Sequence, residues 1–223
     1  RRSPVRRHLG FGTYRDFQQR LREEVTRAAM SPVQRAARSR DGVSATGLSA
    51  AVERRISVAR ELLETVPTAE FDAAVSLLAA QPKSVLLAGG FFSRHLAALL
   101  ASQLNQLLKG VDYTPDPLAR DIGKYLDLGR DGVVVLFDFR RYEDSARRVA
   151  ELTKKRGARL IMVTDHELSP TADFADVVLP VYVDGVPFDS DGGVVILLES
   201  LVECLFDALG APRSDGCRAG RRA

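Results

Sequence analysis

Tryptophan is absent from the 223 residues, and Cys, Met and His are scarce at two, two and three. Cys204 and Cys217 are too few and too oddly placed for a disulfide framework or a cysteine metal motif, as suits a reducing cytoplasm. No apolar run approaches the roughly eighteen residues of a transmembrane helix, so no membrane partner is expected. The opening Arg1-Arg2-Ser3-Pro4-Val5-Arg6-Arg7 has charge but no apolar stretch behind it, which excludes a secretory signal. No internal repeat is visible. What is present is ordinary globular composition, 45% apolar and 27% charged, enough for one α/β core with an appendage.

The net charge of +3 conceals an asymmetry. Residues 1–40 hold eleven Arg and three acids, a net of +8. Residues 41–210 hold seventeen Lys and Arg against twenty-five acids, a net of −8. Residues 211–223 return to +3. A basic end on an acidic body suits a polyanion-binding arm on a body with another task, although a solvated Arg-rich helix gives the same count.

Apolar spacing predicts a helix from Thr13 to Met30, with Tyr14, Phe17, Leu21, Val25 and Ala28 on one face and Thr13 as its cap. Residues 39–49 are rich in Ser, Gly, Thr and Asp and read as a linker. Ala50–Thr65 is a predicted helix with Val52, Ile56, Ala59, Leu62, Leu63 and Val66 inward, and Thr68 caps a second through Ala80. The pattern then alternates. Strands are predicted at Ser84–Ala88, Val111–Thr114, Gly132–Phe137, Arg159–Thr164 and Val177–Val181. Helices fall at Ser93–Leu108, Leu118–Leu126, Tyr142–Arg156, Ser169–Phe174 and Val194–Leu209. Short apolar strands separated by helices imply a five-stranded parallel sheet in a three-layer αβα domain, over residues 50–210. Residues 211–223 read as a loose tail.

Ligands of such sheets collect beyond the carboxyl ends of the strands. Gly89-Gly90-Phe91-Phe92-Ser93-Arg94 follows the first strand; its glycines permit a sharp turn and Ser93 opens a helix whose N–H groups favour an anion. The plainer use of Ser93 is as a helix cap. A dinucleotide fingerprint is excluded, because its third glycine is missing. Asp138-Phe139-Arg140-Arg141-Tyr142-Glu143-Asp144 follows the third strand. Arg140 and Arg141 can fork onto a carboxylate or phosphate, and Asp138 can fix one of them or bind a hydroxyl; Glu143 and Asp144 can equally just neutralise them. Asp165-His166-Glu167 invites a metal or acid–base reading, but adjacent residues do not converge on one ion and no second His or Cys has ligand spacing. Ser169-Pro170 serves better as a helix start. Asp189 or Ser190 can cap the closing helix.

His8-Leu9-Gly10-Phe11-Gly12-Thr13-Tyr14-Arg15-Asp16-Phe17 resembles the segment that ends the helix-turn-helix domain of RpiR-type transcriptional regulators. Residues 69–209 resemble the sugar-isomerase (SIS) domain that follows it there, through the Gly89-Gly90 turn, the Lys155-Arg156-Gly157-Ala158 step and the Val163–Leu179 stretch. The resemblance implies that residues 1–38 are the C-terminal remnant of a DNA-binding headpiece. Arg1, Arg2, Arg6, Arg7, His8 and Tyr14 would then face DNA, weakened by truncation of the headpiece and by Pro4 inside the would-be recognition helix. It implies a SIS domain that senses a small anionic sugar-derived metabolite, and a homodimer or higher homo-oligomer. The sequence departs from the hydroxyl-rich phosphate loop of the family: Asp138, Phe139, Arg140, Arg141, Tyr142 and Glu143 stand in its place. The expected ligand contacts are Gly89, Gly90, Ser93, Arg94, Asp138, Arg140 and Arg141, with no cofactor, metal or catalytic residue. Two alternatives remain. One is a phosphosugar isomerase with Asp138, Glu143 or His95 as base; the other is a SIS dimerisation module that does not bind DNA.

Overall fold

The computed structural model describes residues 47–185 and 188–210. The expected headpiece (1–38), all but the end of the linker (39–49), the tail (211–223) and Arg1, Arg2, Arg6, Arg7, His8 and Tyr14 lie outside the described residues. The elements below belong to one compact unit running from Gly47 to Val183 and resuming at Asp191; Asp184–Ser190 group outside it.

The elements run α1 (Leu48–Thr65), α2 (Thr68–Ala79), β1 (Ser84–Gly89), α3 (Arg94–Leu104), β2 (Val111–Tyr113), α4 (Ile122–Leu126) and β3 (Gly132–Asp138). Then come α5 (Asp144–Arg156), β4 (Arg159–Asp165), a 3-10 turn (Pro170–Phe174), β5 (Val177–Val181) and α6 (Gly192–Leu209). The sheet order is β2-β1-β3-β4-β5, and every pair is parallel. The chain leaves β1 toward one edge and returns to β3 on the other side. The crevice between β1 and β3 is therefore the switch point of the sheet.

Strands covered on both faces must be apolar on both, and successive side chains here divide between two cores. Val85, Leu87, Val133, Val135, Phe137, Ile161 and Val163 pack with α2, α3 and α6. Leu86, Ala88, Val134, Leu136, Leu160 and Met162 pack with Tyr125 and with Ala146, Val149 and Ala150 of α5. All seven residues of β3 are buried. Each large apolar side chain so enclosed contributes about 1.5–3 kcal/mol. Residues Gly89, Phe137 and Val163 sit side by side in register, which aligns the three loops that follow them.

The helix ends differ from the predicted ones for local reasons. α1 buries Val58 and Leu62, whereas Val52, Ile56 and Leu63 are exposed, Leu63 by 87%. Only one stripe of this outer helix meets the core, and Leu63 lies a full residue step around from it. Thr68 is the first helical residue of α2 behind Pro67 and makes no side-chain cap bond. α3 stops at Leu104, where the Asn105 amide donates to the Ala101 carbonyl at 3.0 Å and tight turns follow. α5 starts at Asp144 because Glu143 is extended and the Tyr142 hydroxyl is drawn to Asp165. Its far end closes as expected on left-handed Gly157 (φ 78°), with Ala158 N–H on the Thr153 carbonyl. α6 starts behind Asp191, not Asp189 or Ser190, and the Asp191 carboxylate pairs with His95 instead of capping. Among the described residues, no helix is long and apolar enough to cross a membrane.

Candidate functional site

The carboxyl ends of β3 and β4 are joined by a reciprocal clamp. Asp138 ends β3 and is buried; it accepts the Ser169 hydroxyl from the loop after β4 and the Glu143 N–H at 3.3 Å. Asp165 ends β4 and is also buried. Its carboxylate accepts the Arg140 N–H at 2.7 Å and the Tyr142 hydroxyl at 2.9 Å from the loop after β3, and the Glu167 N–H at 3.0 Å. Each aspartate thus holds its neighbour's loop. Ser169 is fixed further: its N–H donates to Thr164 Oγ1 at 3.0 Å and its Oγ caps the 3-10 turn on Thr171.

Burial raises the pKa of Asp138 above the ordinary carboxylate range; the Ser169 and Glu143 bonds oppose this, and the nearby Glu143 and Asp165 charges add to it. Burial, with the Asp165 carboxylate beside it, also raises the Tyr142 phenol, which stays a donor.

The loop so held is strained. Arg141 adopts a left-handed φ of 83°, which costs a residue with a Cβ about 1–2 kcal/mol. Its guanidinium lies 4.9 Å from the centroid of the Phe92 ring. On the β1 side Arg94 covers Phe91 at the same distance, and the two rings meet edge to face at 5.1 Å. Both phenylalanines are exposed, by 65% and 64%. The result is a cationic–aromatic rim over the switch point.

Behind the rim lies a cleft of about 260 Å³. Gly89, Gly90 and Phe91 form one wall, Glu143 and Ser145 a second, and Asp116 on the loop after β2 a third. That third wall is anchored below, where Thr114 Oγ1 meets the Tyr125 hydroxyl at 2.7 Å and the Leu87 carbonyl at 2.9 Å. Gly89 is required by close approach, since a Cβ there would stand 2.9 Å from the Ser93 backbone. Gly90 gives Glu143 its place, since a Cβ there would stand 2.4 Å from Oε1 and the carboxylate would have to move. That carboxylate oxygen accepts the Phe91 N–H at 2.7 Å, and Oε2 accepts the Ser145 hydroxyl at 3.1 Å. A larger hollow of about 440 Å³ opens beside Lys83 and Lys109, which precede β1 and β2 at the amino ends of the strands.

Of the residues singled out in the sequence, Gly89, Gly90 and Arg94 line the cleft. Ser93 stands at the cap position of α3 but is buried, and its hydroxyl donates to the Phe137 carbonyl at 3.1 Å, tying the β1 turn to β3. Asp138 is turned to Ser169 and Glu143 N–H. Arg140 is half-buried with its amide on Asp165, and Arg141 is exposed on the rim. His95 bonds to Asp191 at 2.8 Å, both exposed, and not to Asp138 or Glu143. His166 packs on Tyr182 with ring centroids 4.7 Å apart. Among the described residues, no group of three His, Cys, Asp or Glu is placed to hold a metal. Sequence reasoning passed over Asp116, and over the reach of Glu143 to Phe91; parallel pairing of β1 with β3 is the signal that brings those two loops together.

A family model of the SIS domain matches residues 78–184, which span the sheet and its strand-tip loops. No curated protein sequence matches the chain significantly. Solved structures match in fold. The sugar isomerase domain of an RpiR transcription factor from Sphaerobacter thermophilus superposes with a TM-score of 0.64 at 20% identity, over 72% of this chain and 94% of that one. NanR of Vibrio vulnificus, complexed with ManNAc-6P, gives 0.64 at 14% identity, over 91% of this chain and 75% of that one. A Methanococcus jannaschii protein, for which a 3-hexulose-6-phosphate isomerase function was inferred, gives 0.57 at 15% identity, over 72% and 90%.

Proposed function

We propose that this SIS-domain chain is a cytoplasmic DNA-binding regulator that senses a small carbohydrate-derived metabolite. The observation that carries the reading is the union of two parts: a segment of net charge +8 with the His8–Phe17 motif, and a SIS domain with a formed cleft at its switch point. The fold is shared by regulators and by isomerase-like proteins, and the basic segment with its His8–Phe17 motif is what favours the regulator. Gly89, Gly90 and Arg94 meet the ligand, Arg140 and Arg141 border it, and Ser93 and Asp138 position the loops. Arg1, Arg2, Arg6, Arg7, His8 and Tyr14 supply DNA contacts, the arginines mostly to phosphates. A homodimer fits symmetric operators, and the exposed Leu48, Val52 and Ile56, spaced four apart on α1, offer it an apolar stripe. Ligand binding then shifts the population of dimer arrangements and so the spacing of the DNA-binding arms.

The test is fluorescence anisotropy on duplex DNA over a salt series, with and without sugars. Salt-sensitive binding that a sugar alters supports the reading. Dimerisation with no salt-dependent DNA affinity would favour a SIS dimerisation module instead.

A second reading has one observation in its favour. The His95–Asp191 pair, at 2.8 Å and exposed where α3 and α6 begin, has the form of an oriented general base. Turnover of ketose or aldose phosphates by the purified protein, lost in His95→Ala, would make the chain an isomerase.

A further inference from the structure

A backbone N–H at a glycine turn beyond a parallel strand is an anion site, and in this protein it is already filled. Glu143 crosses from β3 to β1 and places one carboxylate oxygen 2.7 Å from the Phe91 N–H. The arrangement is built from several sides. Gly90 leaves the space that Glu143 fills, and Ser145 holds the second oxygen. Glu143 occupies the cap position of α5 without capping it, so its side chain is committed across the cleft. Charge points the same way: the ionisable residues lining the cleft are Arg94, Asp116 and Glu143. A phosphate brought here would displace a carboxylate from its donor and meet two acids and one arginine in the lining, with the Arg141 guanidinium outside it over Phe92. A sugar hydroxyl or amine would instead find acceptors in Glu143 and Asp116, and an apolar sugar face would find the exposed Phe91 ring. The volume of about 260 Å³ falls just below the roughly 300–1,000 Å³ of common ligand pockets, a size for one sugar ring.

We infer that Glu143 stands in for a ligand's phosphate and that the cleft selects an unphosphorylated sugar, an inference that rests on the sugar-sensor reading above. It replaces the anionic ligand that the Arg140-Arg141 pair suggests in the sequence.

Calorimetric titration of the full chain tests it, using hexoses, hexosamines and N-acetylhexosamines, their 6-phosphates, and inorganic phosphate. The wild type should bind parent sugars at least tenfold more tightly than their 6-phosphates. Glu143→Ser should reverse that preference and gain inorganic phosphate at least tenfold. Glu143→Gln keeps the shape without the charge and should gain part of it, which covers misfolding of the serine variant. A wild type that prefers a 6-phosphate overturns the inference and leaves the sensor reading standing, as does the absence of any phosphate gain in both variants when the wild type binds a sugar. Phosphate gained by the variants, with no sugar of either kind bound by any of the proteins, removes the sensor reading and with it the sugar selectivity, while Glu143 keeps its place as the resident anion.

Discussion

Asp165 accepts the backbone N–H of Arg140 at 2.7 Å, so the last residue of β4 holds the loop that leaves β3. With Asp138 holding Ser169 in return, the tips of β3 and β4 are tied to each other from both sides.

Removing Asp165 should therefore loosen two loops at once. Asp165→Ala strips acceptors from Arg140 N–H, Tyr142 and Glu167 N–H, and bonds to a charged group are worth about 1.5–3 kcal/mol each without adding fully. We expect a loss of about 3 kcal/mol in urea unfolding, with faster hydrogen exchange at the Arg140 and Glu167 amides. A loss under about 1 kcal/mol would show that the clamp is incidental.

Asp138 should leave a mark on the pH dependence of stability. Burial, only partly offset by its hydrogen bonds, raises its pKa in the folded state above the ordinary value near 3.9. The folded protein then binds a proton that the unfolded chain has released, so this group's contribution to stability falls as pH rises from about 4 through the folded pKa. Asp138→Asn removes that contribution. The stability of the variant relative to the wild type should rise across this window and level off above it; a difference that falls with pH would contradict the assignment.

Arg141 trades stability for position. Its left-handed φ of 83° is one that glycine adopts freely. Arg141→Gly should stabilise the domain by up to about 1 kcal/mol in chemical denaturation while weakening sugar binding, because the guanidinium over Phe92 is lost. A destabilised variant with unchanged binding would show that the rim has no part in the site.

The sheet was legible in the sequence because its strands are short runs apolar on both faces, such as Val133-Val134-Val135-Leu136-Phe137, whereas the comparable run Val194–Leu198 continues with polar residues and apolar spacing of three and four into the long helix α6. Gly157 and Ser169 announced their caps correctly, since each acts on its immediate neighbours. What depends on distant packing was less visible. The apolar period of α1 marks Val52, Ile56 and Leu63 as well as Leu62 and passes over Val58, which is buried, because the sequence does not say which stripe meets the core. Ser93 is a plausible cap, yet its hydroxyl goes to the Phe137 carbonyl, and the closing helix starts behind Asp191, not Asp189 or Ser190, with the Asp191 carboxylate on His95. At the cleft, Gly89, Gly90 and Arg94 stand in the lining, whereas Arg140 and Arg141 stand outside it. The bond from Glu143 to Phe91 spans 52 residues and exists only once β1 and β3 pair, so local spacing carries no trace of it.

Selection from random duplex DNA by the full chain, repeated with the sugar that calorimetry identifies, addresses the regulator reading most directly. The account predicts enrichment of a two-fold symmetric sequence with half-sites about ten base pairs apart or a multiple of that, and a change of at least fivefold in its affinity when the sugar is added. Retention that is the same for every sequence, or an enriched sequence whose affinity the sugar leaves untouched, would contradict it.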